Sequence, residues 1–330
     1  MLLEEALRGA AWPGNATTPY PRSDPADDRL PIDTWGTAQI PVGVRLELIG
    51  DASGIEIDYT CATADLGYRG AGAGTHFSAW RADTELGSVA AEASGGTARL
   101  ELSGAAQDLI TVYLPEGMKP TLTALRATGG SLEAAPAGPR WLAYGDSLTE
   151  GWIATDPAHC WPAVAARRHG LDVVNLGYAG SCRGELASAE QIAKLPADVI
   201  SLAYGTNCWT RIPHSTALLA ANLRAFLSIL REGHPETAIV ISSPVIRPDA
   251  ESTPNRLGAT LADLRAEIEE FAANPGDAGP IELVRGLPLL SGGQLPDGVH
   301  PGDEGHAIMA DAIGGAVSKA AARVAGGSAR

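Results

Sequence analysis

Trp141-Leu142-Ala143-Tyr144-Gly145-Asp146-Ser147-Leu148-Thr149-Glu150-Gly151 is the stretch on which the fold turns. A short apolar run ends at a glycine, a polar turn follows, and a helical pattern begins, which predicts a strand feeding directly into a helix. The same alternation continues to the C-terminus. Strand candidates lie at 141–144, 172–175, 199–204, 238–242 and 281–284, and helical stretches at 161–169, 185–194, 216–231, 257–271 and 303–324. Strands alternating with helices predict a parallel sheet covered on both faces, hence one α/β domain over 140–330.

Before this stretch the pattern changes. Val44-Arg45-Leu46-Glu47-Leu48 and Ile55-Glu56-Ile57-Asp58-Tyr59 alternate apolar and polar residues, as do the runs at 99–102 and 110–114, with a glycine-rich turn at 70–74. Period-two alternation broken by turns predicts antiparallel strands with one wet face, so 1–128 is expected to form a β-sandwich domain. Gly129-Gly130 and the Ala/Pro/Gly stretch at 135–139 place a linker at 129–139.

The chain has 330 residues, 45% of them hydrophobic and 19% charged, which fits a soluble globular protein of one large or two ordinary domains. Its 24 basic against 39 acidic residues give a net charge of -15, a field that repels nucleic-acid backbones and anionic membrane surfaces. No apolar run approaches the roughly 18 residues of a membrane span. Met1-Leu2-Leu3-Glu4-Glu5 lacks the basic start of a secretion signal. Cys61, Cys160, Cys182 and Cys208 show no CxxC spacing and read as reduced thiols, so the expected location is cytoplasmic.

In parallel sheets of this kind ligands bind beyond the carboxyl ends of the strands, so the loops there are where chemistry is expected. The first carries Ser147 in a tight turn, where its hydroxyl can be exposed and its N–H can face a developing oxyanion. The competing reading makes Ser147 a helix cap, with Glu150 three residues on. The last loop carries Asp297-Gly298-Val299-His300-Pro301. There Asp297 can fold back on Nδ1 of His300 and leave Nε2 free to take a proton from Ser147. His306 is assigned a structural role. The second and third loops offer donors: a glycine N–H from Asn175 to Ser181, with Gly177 and Gly180 as rivals, and the Asn207 amide after Gly205. With the Ser147 N–H these would make an oxyanion hole.

These blocks resemble the SGNH, or GDSL-type, hydrolase family: Gly145-Asp146-Ser147-Leu148, Gly180, Gly205-x-Asn207 and Asp297-x-x-His300 stand in the family's order. The resemblance implies a flavodoxin-like five-stranded parallel sheet. It also implies Ser147, Asp297 and His300 as catalytic residues and Ser147, Gly180 and Asn207 as the oxyanion hole, with no cofactor and no metal. Gly180 fits the family's offset from the strand-ending Asn175 better than Gly177 does. One departure is that Cys208 and Trp209 follow Asn207 where many members carry Asp. A β-sandwich ahead of such a domain, jelly-roll-like, resembles some carbohydrate esterases.

The function expected from this reading is a metal-independent serine esterase that removes a small, acetyl-like group from a carbohydrate or other hydroxylated small molecule, with no nucleic-acid or membrane partner. Its rivals are a thioesterase or lysophospholipase of the same family, and a binding protein that keeps the fold without the chemistry. Trp152, Trp161 and Trp209 lie in the site loops, which lack Phe and Met. Their indoles are flat walls suited to a sugar face or a short acyl pocket, with Trp152 and Trp209 as the substrate-binding candidates.

Overall fold

The computed structural model describes residues 2–64, 74–102 and 108–327, so the glycine-rich turn expected at 70–74 lies, except for Gly74, outside the described residues. The chain opens with α1 (Leu2–Ala6), β1 (Leu7–Arg8) and α2 (Ile32–Ala38). The strands β2 (Arg45–Gly50), β3 (Gly54–Cys61), β4 (His76–Arg81), β5 (Thr84–Ala90), β6 (Gly96–Glu101), β7 (Ile110–Tyr113), β8 (Pro120–Thr128) and β9 (Leu132–Ala134) follow. Among the described residues they build two antiparallel sheets. One has the order β1-β2-β7-β4-β5 with β9 also paired to β2, and the other the order β6-β3-β8. Leu46, Leu48 and Val112 of the first sheet and Ile55, Ile57 and Leu100 of the second share one apolar cluster. The stretch read as a linker thus contains β9, which returns to the first sheet.

The second unit comprises β10 (Arg140–Gly145), α3 (Ser147–Glu150), α4 (Trp161–His169), β11 (Asp172–Gly177), α5 (Leu186–Ile192), β12 (Val199–Ala203), α6 (Thr216–Gly233), β13 (Ala238–Ser242), α7 (Leu261–Ala273), β14 (Ile281–Val284), α8 (Asp303–Met309) and α9 (Gly315–Gly327). Its five strands are parallel in the order β11-β10-β12-β13-β14, the doubly wound order 2-1-3-4-5. Alternate residues serve opposite faces. Leu142 and Tyr144 of β10 join the cluster filled by α5, α6 and α7, while Trp141 and Ala143 join the one filled by α4 and α9. The expected single helix at 303–324 is instead α8 and α9 with a π-helical turn, Ala310–Gly314, between them. Gly314 sits there so close to α4 that a side-chain carbon would lie 2.5 Å from the Ala165 Cβ.

The wet face expected of the first sheet is absent at its centre, where all four residues of β7 are buried. Trp80 and Tyr113 pack on Ala154, Ala158, Cys160 and Ala163 of the α/β unit. The polar members of the alternating run, Arg45 and Glu47, are buried as well. Arg45 donates from Nε to Glu47 at 2.7 Å, from Nη2 to Asp172 at 3.1 Å and from Nη1 to the Val173 carbonyl at 2.8 Å. The stretch before β2 also belongs to the α/β side: Ala38 lies within the sheet's core cluster, and Ala11, Trp12 and Trp35 pack against it.

Breaking a buried ion pair by removing one partner typically costs about 3–5 kcal/mol, because the other charge is left uncompensated. Arg45→Met leaves Glu47 only the more distant Arg8 at 3.9 Å and Asp172 only Arg140, and removes the bond to Val173, so calorimetry should show a clear drop in melting temperature. The wild type should melt in one transition across both units. Two resolved transitions, with an unshifted melting point for the variant, would show that the junction does not couple them.

Candidate active site

Asp146 leaves β10 with φ of -95° and ψ of -155°, and its side chain accepts the Leu148 N–H at 3.0 Å, capping α3. The cap that the competing reading assigned to Ser147 is therefore supplied by its neighbour. Ser147 is the first helical residue, which leaves its N–H among the orphan donors of a helix start. Its Oγ is free for another bond and lies 2.9 Å from Nε2 of His300. On the other side of the ring, Nδ1 of His300 is 2.7 Å from Asp297 Oδ2. Asp297 Oδ1 accepts the backbone N–H groups of His300 at 2.7 Å and Val299 at 2.9 Å, which fixes the fold-back of the loop. A proton on Nδ1 is held by the carboxylate, so Nε2 is oriented to accept the hydroxyl proton of Ser147.

Two carboxyls of the site are displaced in opposite directions. Desolvation raises Asp297, but the hydrogen bonds from the His300 ring and the two backbone N–H groups outweigh it and hold the carboxyl below its usual range. Asp146 is wholly enclosed, and desolvation pushes it up to about 6 against the lowering effect of the Leu148 N–H and of His300.

The donor loops flank Ser147 because β10 is the middle of three strands. Gly145 lies level with Gly177 of β11 and with Ala203 of β12, so Gly180 and Asn207 leave the same sheet edge on either side. The two candidate glycines differ in kind. A side-chain carbon on Gly177 would sit 2.3 Å from the Glu150 N, so this glycine lets β11 pass against α3. Gly180 has φ of +71° and nothing within 4 Å of that position, so its conformation needs glycine and its surroundings are open. Asn207 is buried, and its Nδ2 has no hydrogen-bond partner within the protein, a donor left over beside the Ser147 loop.

Trp152 lies against the site, its ring centre 5.5 Å from that of His300 at a tilt of 30°. Trp209 is pinned by a 2.7 Å bond from Nε1 to the Thr253 carbonyl and by the Arg247 guanidinium 5.0 Å above its ring. Trp161 does not line a cleft; it is wholly buried in the core against Trp141. Cys208, which follows Asn207, is buried with Sγ 3.9 Å from the Arg183 carbonyl, and burial pushes its thiol up. His306 is buried between the Trp161 N–H, 3.3 Å from Nδ1, and the Trp152 carbonyl, 3.1 Å from Nε2. All four cysteines are free thiols. Among the described residues no three His, Cys, Asp or Glu side chains are grouped to hold a metal ion, and no helix is long and apolar enough to cross a membrane.

Sequence reasoning missed the support beneath the loop that carries Gly180. Glu150 does not reach back to cap α3. Its Oε2 accepts the Ala179 N–H at 2.8 Å and faces Arg22 at 3.4 Å, both partners of that ion pair being inaccessible to solvent. The one signal available was the acid at position 150 itself, an unlikely residue to bury unpaired.

The sequence matches the family model of GDSL-like lipases and acylhydrolases over residues 143–308. No curated protein matches the chain. Among solved structures, the salicylyl-acyltransferase SsfX3 from a tetracycline biosynthetic pathway is 28% identical, with a TM-score of 0.76 over 93% of this chain and 92% of that one. A protein of Bacteroides ovatus ATCC 8483 described as a GDSL-like lipase is 20% identical, with a TM-score of 0.78 over 96% of each chain. A family two carbohydrate esterase from Clostridium thermocellum, in complex with cellohexaose, is 16% identical, with a TM-score of 0.60 over 84% of this chain and 91% of that one.

The raised Asp146 makes a pH prediction. With its folded value near 6 and an unfolded value near the usual 3.8, the native state holds the extra proton, so this group stabilises fully below the unfolded value. That contribution disappears as pH rises through about 6, a loss of about 2 kcal/mol between pH 4 and pH 7.5. Asp297 acts oppositely, and its contribution is lost as pH falls through its lowered folded value. Asp146→Asn keeps an acceptor for Leu148 and removes the titration, so its stability relative to wild type, from urea unfolding at both pH values, should improve toward pH 7.5. A pH-independent difference would show that Asp146 does not titrate in this range.

Proposed function

The chain belongs to the GDSL-like lipase/acylhydrolase family, and from that premise we propose that it is a serine esterase of the SGNH type working through an acyl-enzyme on Ser147. The observation that carries the reading is the continuous chain from Asp297 through His300 to Ser147, with bonds of 2.7 and 2.9 Å, beside an Asn207 amide that has no partner in the protein. Ser147 Oγ attacks the ester carbonyl as its proton passes to His300 Nε2. The carbonyl oxygen becomes an oxyanion received by the N–H groups of Ser147 and Gly180 and by Asn207 Nδ2. Collapse breaks the bond to the alcohol, which leaves with the proton from His300. Water then repeats the sequence and frees the acid. Asp297 stays ionised throughout and stabilises the imidazolium.

The substrate class we infer is a short acyl ester of a carbohydrate or another hydroxylated small molecule. Trp152 against His300 and the pinned Trp209 support it, as rigid walls with one polar edge each. The fold shared with a carbohydrate esterase is compatible with it. We read the N-terminal unit as a β-sandwich of the jelly-roll kind, since its two sheets share one apolar cluster. The likeness to a salicylyl-acyltransferase over nearly the whole of both chains favours a second reading, in which an alcohol replaces water in deacylation.

A fluorophosphonate should add covalently to one residue, and peptide mapping should place it on Ser147. Ser147→Ala and His300→Ala should each lower kcat on 4-nitrophenyl acetate by roughly three to six orders of magnitude, and the double variant should be little worse, because the two act as a unit. Asn207→Ala should cost about 10²- to 10³-fold in kcat. Retention of a tenth of the activity by Ser147→Ala would remove the nucleophile assignment, and absence of both labelling and turnover would favour a binding protein.

Across nitrophenyl esters kcat/KM should peak from acetyl to butyryl and fall by octanoyl, with Trp209→Ala relaxing the limit. An open apolar groove would instead gain up to about 0.8 kcal/mol per buried methylene. A steady rise to octanoyl would therefore promote the thioesterase or lysophospholipase reading. Adding a primary alcohol and measuring the ester formed against the acid released separates transfer from hydrolysis.

A further inference from the structure

The loop bearing Gly180 is held from the N-terminal segment. Arg22 is 1% exposed. Its Nη1 donates to the Gly177 carbonyl, its Nη2 faces Glu150 at 3.4 Å, and its Nε and Nη2 also donate to the carbonyls of Ile40 at 2.7 Å and Thr37 at 2.6 Å. The guanidinium stands 5.2 Å from the centre of the Tyr178 ring, whose hydroxyl donates to the Arg22 carbonyl at 2.9 Å. Beyond Gly180, Arg183 donates from Nη1 to the Gly180 carbonyl at 3.0 Å and from Nη2 to Asp33 of α2 at 2.9 Å.

Two peptide planes are fixed as a result. The plane between Tyr178 and Ala179 is held by its N–H on Glu150, and the plane between Gly180 and Ser181 by its carbonyl on Arg183. Both are charge-assisted bonds, stronger than neutral ones. The plane between them carries the Gly180 N–H, so its direction is set by side chains whose own anchors, Arg22 and Asp33, lie outside the α/β unit in sequence.

We propose that Arg22 and Asp33 are positioning residues for the Gly180 oxyanion donor, so that the segment before β2 sets the turnover of a substrate it does not touch. The proposal rests on the reading of Gly180 as an oxyanion donor. An oxyanion donor works only within a few tenths of an ångström of its proper place, and small misplacements are costly.

Arg22→Lys keeps a charge beside Glu150 but lacks the fork that reaches Gly177 as well. Turnover of 4-nitrophenyl acetate per site titrated by fluorophosphonate should fall roughly 10- to 100-fold, with KM changed less than about threefold. Asp33→Asn, at a side chain 48% exposed, tests the second anchor while the buried Arg183 keeps Glu185 at 3.6 Å, and turnover per titrated site should fall roughly threefold to tenfold. The affinity of phenylboronic acid, whose adduct on Ser147 mimics the tetrahedral oxyanion, should weaken by the same factor as kcat/KM. The pH profile of kcat/KM should stay in place, because the bond between Asp297 and His300 is untouched. Wild-type kcat and boronate affinity per labelled site in both variants, or a loss confined to KM, would overturn the proposal. If Arg22→Lys fails to fold, Asp33→Asn decides the matter alone by the same readouts. Failure of the esterase reading would show differently, as wild-type protein that takes no label at Ser147.

Discussion

Gly145 of β10 stands level with Gly177 on one side and Ala203 on the other, and three loops leave the sheet from that line. Ser147, Gly180 and Asn207 follow within a few residues, so the hydroxyl and its flanking donors are placed by register before any side chain chooses a rotamer. The constraint is strict because β11 is buried along its whole length, with Val173 serving one core cluster and Val174 the other. A slip of one residue would exchange those faces and move the Gly180 loop by about 3.3 Å. The packing of both cores therefore protects the geometry of the site. His300 approaches from beyond the last strand, and the fold-back of Asp297 sets its ring locally.

Two arginines carry the N-terminal half into this arrangement. Arg22 and Arg45 are each about 1% exposed, and such burial is tolerable only because their donors meet carboxylates and backbone carbonyls. Arg45 ends on Asp172 and Val173 at the start of β11, and Arg22 on Gly177 at its end. One strand of the parallel sheet is thus gripped at both ends by residues made early in the chain. Well-packed apolar side chains could give comparable stability, but they would not fix a carbonyl's direction as a guanidinium fork does.

The parallel strands were legible because each is a short apolar run. The expected and observed limits coincide at Ala238–Ser242 and Ile281–Val284, and α4 keeps the limits 161–169. Local spacing pointed to the fold-back of Asp297 on His300, and the structure joins those two side chains and sets His300 against Ser147. What escaped was everything set by distant chain. Alternation in β2 records that Arg45 and Glu47 are polar but not what lies beyond them, and a second unit covers them where water was expected. The run at 303–324 has a continuous helical pattern, and only the approach of Gly314 to Ala165 marks its π turn. Trp161 looked like a site residue by its place in the sequence and proved to be core. Arg22 and Glu150 are 128 residues apart, and no periodicity records such a pairing.

The grip of Arg22 and Arg45 on main-chain carbonyls of β11 bears on how a chain of this kind can be inherited. Backbone carbonyls are the same in any sequence, so the sheet would accept the contact from many partners. The forks are specific, and they sit in the leading segment and in β2, while their carboxylates are divided between Glu47 of β2, Glu150 of α3 and Asp172 of β11. A recombination event that joined a foreign leading module to β10 would deliver an intact Ser147, Asp297 and His300 beside a Gly180 loop without its props. Retention of both halves as one block is the course this favours, and the alignment with SsfX3 over 93% of this chain and 92% of that one fits it.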